Sequence, residues 1–172
     1  MTDRKTKRVI VKQARKLANK TFGKVASGPG ACLYLSWAVC TVAREHGIRL
    51  LMLAGSAYWP HVTPETDDGV ESNRFGYEFD LETAAPYLAA NLMPELHVWA
   101  GDPLTGEIVD LSTGAWPNQC RELLGVGWKA PNPPAFFWAP PSSLPNLAEY
   151  RATKEAGAVA LELLLRLAGE AS

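Results

Sequence analysis

Residues 95–112 read ELHVWA, GDPLTG and EIVDLS, two apolar-rich segments around a six-residue stretch of turn-forming composition. The pattern predicts an antiparallel β-hairpin and constrains the chain more than any other stretch. Strand side chains alternate between faces with a period of two, and a hairpin fixes which residues meet. If Ala100 and Glu107 pair across the loop, His97 stands directly opposite Asp110, with Trp99 and Ile108 on the same face. Directly opposed β-carbons lie about 4.5–5.5 Å apart, near enough for an imidazole N–H to meet a carboxylate. Taken alone, the pair suits equally a catalytic dyad or a cross-strand bond that satisfies two half-buried polar groups.

Cys32 shifts that balance. The Ser27-Gly28-Pro29-Gly30 break precedes an apolar-periodic segment from about Ala31 to His46, with Leu35, Val39, Val42 and Ala43 on its buried side and Gly47 as terminator. Cys32 therefore falls in the first turn of a helix, where unpaired backbone N–H groups and the helix dipole favour an anion. A thiolate is stabilised there, and a neighbouring histidine can carry its proton. Cys40 lies about 12 Å further along the same helix, too far for a disulfide to Cys32, and reads as a small buried residue. Of the three histidines, His46 sits about 21 Å from Cys32 at the far end of that helix and suits its carboxyl end. His61 falls in a polar, acidic segment, Pro60 to Asn73, that reads as an exposed loop, so His97 remains as the base.

Around these residues the chain reads as one α+β domain spanning 1–172, a length that supports a single sizeable core. Residues 4–22 form an amphipathic first helix on Ile10, Ala14, Leu17, Ala18 and Phe22, ended by Gly23. Ile48–Ala57 suits a buried strand. A brief strand is expected near Phe75–Phe79 and a helix from about Leu81 to Ala90. Residues 131–145 carry six prolines around Phe136, Phe137 and Trp138, leaving room only for a short extended piece. A closing helix from about Asn146 to Leu167 presents a broad apolar face that suits packed core and leaves self-association open.

Composition narrows the setting. Three cysteines, Cys32, Cys40 and Cys120, at irregular spacing do not form the disulfide framework of a small secreted protein, which points to a reducing, cytoplasmic compartment. No signal-peptide core stands at the start, and the most apolar late stretch is broken by Glu162 and Arg166, so no membrane association is expected. Residues 1–24 hold nine of the seventeen Lys and Arg against one acid, Asp3. With no nucleic-acid motif beside it, this reads as a solvated helix face, not a nucleic-acid contact. No C-x-x-C or H-x-x-x-H spacing is present, and neither metal nor cofactor is expected.

Gly30-Ala31-Cys32 with the small residue Ser36, followed by Arg44-Glu45-His46-Gly47-Ile48-Arg49 and Gly55, resembles the nucleophile helix and next strand of transglutaminase-like cysteine enzymes, a branch of the papain-like superfamily. His97-Val98-Trp99 resembles their His-x-Trp strand, and Ile108-Val109-Asp110 their strand ending in aspartate, in the same order along the chain. The similarity covers roughly residues 28–58 and 94–113. It implies a nucleophile helix packed on an antiparallel sheet with flanking amino- and carboxyl-terminal helices, and a Cys32-His97-Asp110 triad. Bacterial members of the family include peptidases and amine acyltransferases. The first expectation is accordingly a peptidase or amidase that forms an acyl-enzyme thioester. Acyl transfer or transglutamination on the same triad is the alternative, and a binding protein retaining the fold is the non-enzymatic one. No glutamine just before Cys32 completes an oxyanion hole, and residues 56–93 match nothing in the family. Phe136, Phe137 and Trp138 are expected to line the substrate groove.

Overall fold

The computed structural model describes residues 2–23, 30–61, 73–90 and 92–170, with side chains described to residue 166. Helix α1, Arg4–Phe22, starts at Asp3, whose carboxylate accepts hydrogen bonds from the backbone N–H groups of Lys5 and Thr6 at 2.8 and 3.1 Å. It buries Ile10, Val11, Ala14 and Ala18 against α2, Ala31–Glu45, whose Tyr34, Leu35, Ala38, Val39 and Val42 join them in one core cluster. α2 is buried on most of its circumference because α1 covers one side and the sheet the other. Arg44 and His46 close its carboxyl end, and the His46 ring bonds the Gln13 side chain at 2.8 Å, in keeping with a role at the helix end.

Six antiparallel strands follow among the described residues: β1 Leu51–Pro60, β2 Arg74–Tyr77, β3 His97–Gly101, β4 Ile108–Asp110, β5 Phe137–Ala139 and β6 Glu149–Ala152. Their order is β2-β1-β3-β4-β5, with β6 also paired to β1. β1 is the organising strand. Leu51–Gly55 pair with β3, Gly55–Tyr58 with β6, and Ala57–Pro60 with β2. Gly55 is paired with both His97 and Ala152, and a β-carbon there would stand 2.0 Å from the Arg151 carbonyl oxygen, so only glycine lets β6 approach this closely. The pleat divides the sheet into two faces. Val98, Ala100 and Val109 pack toward the helices, whereas Trp99, Ile108, Ala57 and Trp59 join Phe75, Trp116, Cys120 and Phe137 in an aromatic cluster. Three further α-helices among the described residues are α3 Leu81–Ala89, α4 Trp116–Leu124 and α5 Lys154–Glu170. Among the described residues no helix is long and apolar enough to cross a membrane.

Several expectations need correction. The strand expected over Ile48–Ala57 starts later, because the Ile48 N–H still closes the preceding helix on the Ala43 carbonyl, and it runs on to Pro60. The helix expected from Asn146 begins only at Lys154. Residues 149–152 pair with β1 instead, and Thr153 turns the chain by donating its N–H to the Ala54 carbonyl and accepting from the Ala156 N–H. α4 was not foreseen. Most of the Pro60–Asn73 loop lies outside the described residues, but His61 and Asn73 at its ends are buried, and the His61 carbonyl accepts from the N–H groups of Lys129 and Ala130. Phe137 and Trp138 pack into the two sheet faces and Phe136 against the α1–α2 core, so these aromatics are core residues, not the lining of a groove.

Candidate active site

The hairpin forms, but its register differs from the expected one. Ala100 pairs with Val109 and Gly101 with Ile108, two residues away from the Ala100–Glu107 pairing. A shift of two preserves the face on which each side chain lies, so His97 and Asp110 meet on a diagonal instead of directly across. Their separation, from Nε2 to Oδ2, is 2.7 Å. Both side chains are about 1% exposed.

Asp110 is fully engaged. Its Oδ1 accepts from the Ser112 N–H at 2.8 Å and the Ser112 hydroxyl at 2.6 Å, and its Oδ2 accepts from His97 and from the Tyr150 hydroxyl at 2.7 Å. These donors match the carboxylate's lone-pair capacity and explain how a charge survives burial. Burial by itself raises the Asp110 pKa, but the His97 charge and the hydrogen bonds from His97 and Ser112 overcome it and hold the carboxyl below its ordinary range. Burial likewise works against a charged His97. The Asp110 charge and hydrogen bond, joined by Cys32, prevail and raise the imidazole to about 10.

With Nε2 given to Asp110, Nδ1 is the ring nitrogen left over, and Cys32 lies near enough to the imidazole to contribute to its raised pKa. Cys32 is the second residue of α2, as expected, and it is partly exposed while the imidazole and carboxylate behind it are sealed. Gly30 precedes the helix in a left-handed conformation, φ 77°, with no side-chain hydrogen bond capping the end. The Leu33 N–H bonds the Gly30 carbonyl at 3.0 Å, and Cys32 lies at the positive end of the helix dipole, a setting that favours negative charge. Ser36, one turn on, anchors α2 to β3 by donating its hydroxyl to the Val98 carbonyl at 3.0 Å. The other cysteines stand apart: burial pushes Cys40 up to about 12 and also raises Cys120.

An aromatic box holds the imidazole in place. Tyr77 and Trp99 stack near-parallel to it, with centroids 5.8 and 6.1 Å away, and Trp116 meets it edge-on at 5.1 Å. Tyr77 in turn donates its hydroxyl to the Gln119 side-chain oxygen at 3.1 Å. Of these residues the sequence pointed only to Trp99. Ser112 carried a readable signal, since a serine two residues after an aspartate often turns back onto its carboxylate. Tyr150, Tyr77 and Trp116 reach the ring through tertiary packing that no local pattern announces. Among the described residues no three His, Cys, Asp or Glu side chains converge to hold a metal ion. No protein-family model, curated protein or solved structure matches the chain.

Proposed function

We propose that the protein is a thiol hydrolase of amide or acyl bonds, with a papain-type core of the transglutaminase-like kind. One observation carries this reading: a partly exposed helix-start thiol lies near a sealed imidazole whose Nε2 is bonded to a sealed carboxylate. Purely structural His–Asp bonds have no need of a helix-start thiol beside the ring. In the reaction, His97 already holds the proton of the Cys32–His97 pair, and the thiolate Sγ of Cys32 attacks the substrate carbonyl carbon. The Cys32 backbone N–H at the helix start is the natural first donor to the developing oxyanion. His97 then protonates the leaving nitrogen as its bond to carbon breaks, giving a thioester. Water gives a proton to His97 as it attacks the thioester, the C–S bond breaks, and His97 and Cys32 return to their starting state. Asp110 holds the ring tautomer and its charge throughout. The three free thiols support a reducing, cytoplasmic setting.

The test needs no substrate. Iodoacetamide at mildly acidic pH should alkylate Cys32 well ahead of Cys40 and Cys120, as read by mass spectrometry of the three cysteine peptides. His97→Ala should weaken that selectivity without abolishing it, because the helix start remains. Equal labelling of Cys32 in the two proteins would sink the proposal.

A further inference from the structure

We infer that Tyr150 is a positioning residue that controls how firmly Asp110 holds the His97 proton. The inference rests on the triad reading above but concerns a residue outside it. The direction of the hydrogen bonds is fixed by donor chemistry. The Trp59 indole N–H can only donate, and it donates to the Tyr150 oxygen at 3.1 Å. The single Tyr150 proton is thereby directed to Asp110 Oδ2, 2.7 Å away, the same oxygen that receives His97 Nε2. Donors thus converge on Asp110 Oδ2 from two sides, the Trp59–Tyr150 relay from one and His97 from the other. Packing keeps it aligned, with the Tyr150 ring 5.1 Å from Trp99 and 6.0 Å from His97. The phenol is also locked as a donor, since burial, with the Asp110 charge beside it, holds its pKa well above the ordinary range.

The consequence for His97 has a definite sign. A donor on Oδ2 stabilises the carboxylate in both states of the pair, but more when His97 is neutral, because the imidazolium no longer compensates the charge. Tyr150 therefore makes it easier for His97 to release its proton, the step a general acid must perform. Without the hydroxyl, Asp110 would hold the imidazolium more tightly, and the leaving-group step would slow.

The experiment follows the His97 ring signals by heteronuclear NMR against pH in the substrate-free protein. Tyr150→Phe should raise the His97 midpoint several-fold in proton affinity. Incorporating 3-fluorotyrosine at position 150, which keeps the shape and strengthens the donor, should lower it, and this second arm stands if the phenylalanine variant does not fold. Trp59→Phe, which frees the hydroxyl to rotate, should shift the midpoint in the same direction as Tyr150→Phe but by less. A midpoint unmoved by fluorination, or lowered by Tyr150→Phe, would show that Tyr150 only fills space. This outcome is distinct from failure of the triad reading, which is decided by Cys32 alkylation and not by the His97 midpoint.

Discussion

His97 and Asp110 meet on the diagonal of the β3–β4 pair, 2.7 Å apart and closed off from water. Breaking a buried pair by changing one partner leaves the other charge without compensation, a loss that outweighs what the pair contributed. Asp110→Asn should cost on the order of 3 kcal/mol in unfolding free energy and reduce selective Cys32 alkylation. Asp102→Asn is the matched control. Asp102 accepts from the Leu104 and Thr105 N–H groups in the hairpin turn, bonds an amide oxygen can keep, so its change should stay within about 0.5 kcal/mol. Chemical denaturation of both variants checks the pair of outcomes.

The same pair sets a pH dependence. His97 has a folded pKa raised above its unfolded value of about 6.5, so its contribution to stability is fully present below that pH and is lost as pH rises through about 10. Asp110 is depressed, so its contribution is present above about 3.9 and lost on acidification. Wild-type stability should therefore decline through the window from about 6.5 to 10 with a slope approaching one proton. In His97→Gln that component should be missing. Denaturation midpoints of the two proteins against pH provide the comparison, and parallel curves would exclude a charged His97.

On α1, Lys7 behaves unlike its neighbours. Its ammonium bonds buried Glu107 at 2.8 Å and lies 5.5 Å from the centre of the Trp138 ring, while the Trp138 indole N–H donates to the other Glu107 oxygen. Lys7→Met should cost on the order of 3 kcal/mol by stranding Glu107. Arg4→Met, on the exposed face, should change stability by less than about 0.5 kcal/mol. Thermal unfolding of the two variants distinguishes a helix docked by one specific cation from a helix that is merely basic.

Gly55→Ala should be among the most damaging single changes in the sheet, at about 3 kcal/mol, because the new β-carbon meets the Arg151 carbonyl. It should also lower the selectivity of Cys32 alkylation, since displacing β6 withdraws Tyr150 from Asp110. Loss of stability with unchanged alkylation would mean that β6 does not support the site.

How much of this was legible in the residues follows from how local each signal was. The helices around Ile10 and Val39 and the shared face of His97 and Asp110 depend on period alone, and period survived a two-residue error in register. The register itself depended on the turn. Asp102 accepts from Leu104 and Thr105, and its own N–H reaches the Glu107 carbonyl, which shortens the loop side and moves Glu107 out of line with Ala100. β6 was hidden for a different reason. Glu149–Ala152 adjoins a strongly helical segment, and only its pairing with β1, made possible by Gly55, decides its conformation. Tyr150 was lost with it, and so was the chemical sense of Asp110 Oδ2.

β6 also gives the site a sequence in time. Cys32, His97 and Asp110 leave the ribosome well before Tyr150, and β6 can dock only on a β1 already formed. An emerging chain thus carries the thiol, imidazole and carboxylate while Asp110 still lacks its phenol partner. The strand that arrives last brings the phenol hydrogen bond to the carboxylate, so completion of the Asp110 hydrogen-bond set is tied to completion of the sheet.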